Sequence, residues 1–476
     1  MNQEIRNALT KNSDTNPRAA AGQADLVSTR VSPASYLAAL FLLSFASALL
    51  IYLGMDTAGV TLFGAAFLGI SLLAFTDRIG FDGKKLRRTG LLPNLWSTIT
   101  GSRKRLRISD IEQVETQALR ALKRGRNVKY RFSTIIRGKG LVYTFASGSD
   151  SYRQLINSLL PLLPANVLDT RSLELRDYLV ESGAVLQQAK GSRIPPADVL
   201  EGDLKHLAKG KNRPHPSATD IETHASNPLQ LRSLANQLRL GGFLLQSLEA
   251  FRRALILEPG NGWLLLECGR CLQSLAGSEK DLRLERRSVA FLRLAEKRAG
   301  TDGELLTRVA ESYFQAGQWK RAGIVFKRVA DTLGENFRSV RGMAEMALRE
   351  GKIAHVIHHF NTANRIADST ALKRWARGEA DYFTRLHNDE EYLELEISRM
   401  NLIERLDRYQ KTALRIVLFG FPLILVGVLA EEEGVANVGW AISTLAIAVW
   451  FGMSVTQRFM GGRIPVDMIV SDEEDL

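Results

Sequence analysis

Between Asp302 and Asp368 the chain repeats itself at an offset of 34. Leu306 answers Val340, Val309 answers Met343, Ala310 answers Ala344, Gly317 answers Gly351, and Phe326 answers Phe360. Self-similarity at this period, with small residues in fixed slots, predicts a solenoid of helical hairpins. The chemistry of the slots says why. Ala310 and Ala344 allow neighbouring helices to approach closely. Gly317 and Gly351 stand where each hairpin turns, and Phe326 and Phe360 fill the groove between repeats.

An apolar residue, a small one, a turn glycine and an aromatic in the second helix resemble the tetratricopeptide repeat (TPR) family. Upstream, Leu234, Ala235, Gly242, Phe251, Ala254 and Pro259 fill the same slots. A degenerate unit lies between: Cys268 and Gly269 stand 34 residues after Leu234 and Ala235, but the aromatic, Phe291, comes late. Ser278–Arg286 is therefore expected to be a longer turn or an extended helix. A helix from Ala371 to Leu386 caps the array, giving four repeats and a cap over 228–388. The resemblance implies a protein-binding function and a concave face lined by the first helix of each hairpin. That face would present Arg232, Asn236 and Arg239 in the first unit. It would present Thr307, Glu311 and Phe314 in the third, and Arg338, Arg341, Glu345 and Arg349 in the fourth. Arg232 and Asn236 match slots that hold a peptide carboxylate in chaperone-tail-binding members, so the implied partner is a protein or an acidic or carboxylate-ended peptide.

Four apolar runs flank this region. Tyr36–Leu53 and Val60–Phe75 lie near the N-terminus, Ile416–Ala430 and Val435–Val455 near the other end. Each approaches the length that spans a bilayer. A signal peptide fits the first run poorly, because a long polar tail precedes it and a second run follows at once. The loops inside the pairs carry only Asp56 and Glu431, Glu432 and Glu433, whereas the outer flanks carry Arg and Lys. The positive-inside rule then places both termini and the whole middle of the chain in the cytoplasm of a four-span inner-membrane protein. Two cysteines in 476 residues fit a reducing compartment.

Between residues 78 and 140 there are 17 Lys and Arg against 4 Asp and Glu, which accounts for the chain's net charge of +12. Short segments rich in β-branched and aromatic residues predict strands at Leu86–Leu91, Ser97–Ile99, Arg105–Ile108, Val128–Ile135 and Leu141–Phe145. An amphipathic helix over Ser151–Leu163 closes the unit. Thr89-Gly90-Leu91-Leu92, the Ile108–Val114 step, the Tyr130–Ile136 strand and the closing helix resemble bacterial pleckstrin-homology-like domains. Tethered beside an anionic leaflet, each base is worth about 1 kcal/mol. Lys84, Lys85, Arg87, Arg88, Arg103, Lys104, Arg105 and Arg107 are thus expected to contact anionic lipid, or else to enforce topology alone. No nucleic-acid motif accompanies the charge, and no nucleic-acid partner is expected.

The sequence offers no catalytic constellation. Cys268-Gly269-Arg270-Cys271 has CxxC spacing but no second ligand pair, and Cys268 falls in a core slot. His355, His358 and His359 read as a surface cluster, Gly210-Lys211-Asn212 is no phosphate loop, and Asp472–Asp475 is a solvated acidic end. No catalytic residue, metal site or cofactor is expected.

The expectation is a mainly α membrane protein with N- and C-terminal transmembrane helical hairpins, a small β+α PH-like domain and an α-solenoid of TPR-like hairpins. The boundaries are a disordered tail at 1–32, a hairpin at 33–77, the basic domain at 78–185 and a linker at 186–227. The solenoid then fills 228–388, followed by a connecting helix at 389–411, a hairpin at 412–457 and an acidic tail at 458–476. Further helix is expected over Asp169–Val185 and Ala197–Ala208. The function implied is a non-enzymatic scaffold that recruits or organises a partner at the cytoplasmic face. The rivals are a transport or secretion component, in which the spans take part directly within a membrane complex, and an enzyme with its site in the first domain.

Overall fold

The computed structural model describes residues 27–31, 34–100, 105–124, 127–147, 150–201 and 227–461. The fold is mostly helical and divides into two compact units. One comprises the N-terminal strand, Phe75–Gly334 and Ser369–Leu372; the other comprises Pro33–Ala74, Glu335–Asp368 and Lys373–Leu476.

The first unit opens with an antiparallel sheet of β1 (Val27–Arg30), β2 (Arg78–Phe81), β3 (Lys85–Thr89) and β4 (Arg105–Arg107), in that order. Ile79, Leu86 and Leu106 are buried on one face, with Leu86 paired to Leu106. β1 lies in the stretch expected to be a polar tail. Its pairing with β2 and the burial of Thr29 hold it in the sheet. A second sheet joins β5 (Gln113–Arg124), β6 (Asn127–Gly138) and β7 (Leu141–Ala146). α4 (Asp150–Leu159) buries Tyr152, Leu155, Ile156 and Leu159, the face its periodicity predicts.

Ser97–Ile99, expected to be a strand, instead ends a helix, α3 (Leu91–Thr100). The Thr98 hydroxyl donates back to the carbonyls of Asn94 and Leu95, at 3.2 and 2.7 Å, and so is accommodated in the helix. β5 was not legible as a strand, because its apolar residues do not alternate cleanly along Gln113–Arg124. Asp169–Val185 holds two helices, α5 (Thr170–Tyr178) and α6 (Ser182–Gly191). α6 and Ile194 belong to the packed core of the first hairpin, with Val185, Ala189, Ala250 and Phe251. The start of the expected linker is therefore folded against the repeats. A helical stretch begins at Ala197 as expected; residues 202–226 lie outside the described residues.

Three helical hairpins complete this unit. They are α7 (Pro228–Leu240) with α8 (Leu244–Leu257), α9 (Gly262–Glu279) with α10 (Leu282–Arg298), and α11 (Gly303–Gln315) with α12 (Trp319–Leu333). A side-chain cap starts each first helix: Asn227, Asn261 and Asp302 accept from N–H groups of their own first turns. The degenerate unit proves to have an extended helix. α9 is 18 residues long against 13 for α7 and α11, and this delays Phe291. Leu234, Ala235, Phe251, Ala310 and Phe326 are all buried, as their slots require.

In the second unit, α13 (Phe337–Arg349) and α14 (Ile353–Ile366) form the fourth hairpin, again capped by an asparagine, Asn336. α15 (Thr370–Asn388) follows. The core holds Ala344, Phe360, Ala380 and Phe383; Phe360 stacks on Phe383, their ring centroids 5.8 Å apart.

Among the described residues four helices are long and apolar enough to cross a membrane: α1 (Ala34–Tyr52), α2 (Asp56–Thr76), α16 (Glu390–Leu429) and α17 (Glu433–Met460). α16 runs unbroken for 40 residues through Pro422, merging the expected connecting helix with the third span. α16 and α17 pack through small residues: a Cβ on Gly427 would lie 2.3 Å from the Ala436 nitrogen. α1 joins them at Trp440, where the Phe45 and Tyr52 rings lie 5.2 and 5.5 Å away.

Candidate functional site

The first helices of the first three hairpins, α7, α9 and α11, present inward-facing polar side chains. α5, supplied by the segment between the β-sheets and the solenoid, engages all three. Its start is fixed at both ends. The Asp169 carboxylate accepts from the Ser172 and Arg171 N–H groups, and also from the Thr116 N–H of β5 at 3.2 Å. Burial pushes the Asp169 carboxyl upward against these hydrogen bonds.

Glu174 is the centre of the arrangement. It is 6% exposed and accepts from three guanidiniums: Arg171 at 3.1 Å, Arg239 at 3.0 Å and Arg270 at 3.0 Å. Burial alone would raise this carboxyl. Arg239, Arg171 and Arg270 outweigh it and pull the group down to about 2. Arg270 is anchored in turn by Ser312 Oγ at 2.8 Å and by the Arg308 carbonyl.

A second carboxylate, Glu267 on α9, lies beside the first. Arg232 donates to it twice, at 2.8 and 2.6 Å, and Asn236 Nδ2 donates at 2.8 Å. Burial works against the Arg232 charge, but the hydrogen bonds and charge of Glu267 more than restore it. Tyr178 at the end of α5 completes the cluster with a 3.5 Å hydrogen bond to Glu267. The Arg232 guanidinium also lies over the Trp263 ring, 5.3 Å from its centroid.

The structure thus brings Arg232, Asn236 and Arg239 together, with carboxylates of their own chain on them. Thr307 is buried and donates to the Gly303 carbonyl; Glu311 accepts from Thr170 of α5 at 2.9 Å; Phe314 is half-buried. Arg338, Arg341, Glu345 and Arg349 lie on α13 in the second unit. There Arg341 donates to Glu345 at 3.1 Å and covers the Trp375 ring at 5.1 Å, while Arg349 is exposed. Of the bases expected at lipid, Lys84, Lys85, Arg87, Arg88, Arg105 and Arg107 lie on or beside β3 and β4. Arg88 is held by Asp77 through two hydrogen bonds, at 2.9 and 2.6 Å. Arg103 and Lys104 lie outside the described residues.

Glu174, Glu267 and Arg270 were missed from sequence. One signal was available: an offset of 34 from Asn236 lands on Arg270, the next inward slot. Nothing marked Glu174, since it lies outside the repeats.

Cys268 and Cys271 are free and buried. Burial pushes both thiols up, Cys271 to about 11, so neither carries thiolate at neutral pH. A water-soluble maleimide is expected to leave both unmodified in the native chain and to label both after denaturation. Labelling of the native chain would contradict the packing of the first two hairpins. Among the described residues no group of three or more His, Cys, Asp or Glu is placed to hold a metal ion.

No family model matches this chain, and no curated protein sequence matches it. Solved structures do. A thermophilic TPR protein of Thermus thermophilus is 15% identical, covers 34% of this chain and 85% of its own, and has a TM-score of 0.29. PilF of Pseudomonas aeruginosa is 16% identical, covers 48% of this chain and all of its own, and has a TM-score of 0.28.

Proposed function

We propose that this protein is a membrane-anchored, non-catalytic scaffold that recruits or organises a partner protein at the cytoplasmic face of the inner membrane. One observation carries the reading: helical-hairpin repeats and a base-rich sheet are bracketed in sequence by helices long and apolar enough to span a bilayer. Repeats of this kind serve binding better than chemistry, because their inward faces offer side chains at regular spacing on a rigid support. The distribution of Lys and Arg supports four spans with both termini and the soluble regions inside. The small sheets with their closing helix act in this reading as a PH-like membrane-facing domain.

Arg232, Asn236 and Arg239 hold Glu267 and Glu174 of their own chain; in this reading an acidic partner meets α13, which carries Arg338, Arg341, Glu345 and Arg349. In vivo photo-crosslinking tests this. A crosslinker at Arg349 should give one discrete protein adduct that Arg338→Glu abolishes, with none from Lys129 on β6. Absence of any adduct from α13 would sink the partner assignment. Impermeant labelling of Glu432→Cys from outside the cell, without labelling of Lys129→Cys, tests the orientation separately.

A further inference from the structure

We infer that α3, with the outer face of β3 and β4, forms a second membrane contact in which three leucines enter the headgroup region among anionic lipids. The inference rests on the membrane reading above and adds an element that reading did not contain. α3 has no charged residue, and it exposes Leu91, Leu92 and Leu95 at 51, 45 and 62%. Three leucines left in water on a helix of 10 residues call for a cover.

α3 follows closely on the apolar α2. Gly90 separates β3 from α3, and the Leu91 N–H reaches the Thr76 hydroxyl, on the last residue of the apolar α2, at 3.5 Å. A Cβ on Gly90 would lie 3.0 Å from the Asp77 Cα, so the start of α3 is seated directly on the chain leaving α2. If α2 spans the bilayer, α3 begins at the interface.

The strands beside α3 are basic. In the β3–β4 pairing Lys85 stands opposite Arg107, and Arg87 stands opposite Arg105. Like charges directly across two strands repel. Leu86 and Leu106 point to the buried face, while Arg87, Arg105 and Arg107 are exposed. Among the described residues no carboxylate forms a salt bridge with any of the four. Asp82 accepts the Lys84 and Lys85 N–H groups, and these bonds, with a smaller pull from the Lys85 charge, hold its carboxyl down despite slight burial. A cross-strand quartet of bases with no salt-bridged carboxylate among the described residues is suited to anionic headgroups. The uncharged, leucine-bearing helix beside it is suited to the boundary of the acyl chains.

The test uses the full chain in lipid nanodiscs with a nitroxide at Leu95→Cys. Matching labels go at Phe67→Cys, on the exposed side of α2, and at Lys129→Cys; the native cysteines are buried. In discs containing phosphatidylglycerol, the Leu95 label should collide with oxygen and be shielded several-fold from a water-soluble nickel chelate, as at Phe67. Phosphatidylcholine alone should reduce that shielding. So should Arg87→Glu with Arg105→Glu in the phosphatidylglycerol discs. A Leu95 label as open to the chelate as the Lys129 label, with Phe67 still shielded, would overturn this inference and leave the spans intact. Chelate access at Phe67 would overturn the membrane reading beneath it.

Discussion

Glu174→Ala is expected to lower the thermal midpoint of the detergent-solubilised chain by roughly 10 °C, from a loss of about 3–5 kcal/mol. The loss exceeds that of a surface ion pair because the change leaves Arg239 and Arg270 buried without their counter-charge. Glu249→Ala breaks pairs with Arg252 and Arg253 that are a third and a fifth exposed, and is expected to cost about 1 kcal/mol or less. The same carboxylate, Glu174, sets an acid limit. Its folded titration lies at about 2, below its ordinary value of 4.5, so its contribution is complete above pH 4.5. It is lost as pH falls from there towards 2, amounting to about 3 kcal/mol. Glu174→Gln should flatten this part of the pH–stability curve. An unchanged midpoint in Glu174→Ala, or an unchanged acid profile in Glu174→Gln, would mean that α5 does not hold the repeats.

Gly242→Ala is expected to be the most damaging of the turn substitutions. Gly242, Gly317 and Gly351 share one slot and one backbone conformation, with φ of +84, +72 and +71°. An alanine at any of them carries the left-handed cost of about 1–2 kcal/mol. At Gly317 and Gly351 the added Cβ meets nothing within 4 Å. At Gly242 it would lie 1.6 Å from the Val128 carbonyl oxygen. Val128 also donates its N–H to the Gly242 carbonyl at 3.1 Å, and it packs with Leu244 and Leu275. The substitution must push the β5–β6 hairpin off the first repeat. Limited proteolysis should then cut within β5–β7 in Gly242→Ala but not in Gly317→Ala or Gly351→Ala. Equal behaviour of the three variants would contradict that docking.

These two sites show which parts of the fold were written plainly in the chain. The repeat slots were, because Ala310, Ala344, Phe326 and Phe360 each satisfy a local packing need that recurs with the helix pair. The apolar helices were too, since length and composition alone define them. α3 was not. Its short run of Leu, Ser, Thr and Ile fits strand and helix alike; the structure makes it helical, with Thr98 bonded back to Asn94 and Leu95. The occupant of the inward face was also hidden. Arg232 and Asn236 were expected to meet a partner's carboxylate; in the structure they hold Glu267 of their own chain, 31 residues on from Asn236. Glu174 reaches Arg239 across 65 positions. Periodicity reports on neighbours within a repeat; it carries no information on a helix brought in from another segment.

The claim that α5 fills the inward face of the first three hairpins is tested most directly by crosslinking in native membranes. Thr170 donates to Glu311 at 2.9 Å, linking α5 to α11. With Cys268→Ser and Cys271→Ser as background, Thr170→Cys with Glu311→Cys should join rapidly under mild oxidant or a short bismaleimide. Thr170→Cys with Lys327→Cys, exposed on α12, the second helix of the third hairpin, should not. Failure of the first pair to join, with both cysteines open to maleimide, would show the face to be empty.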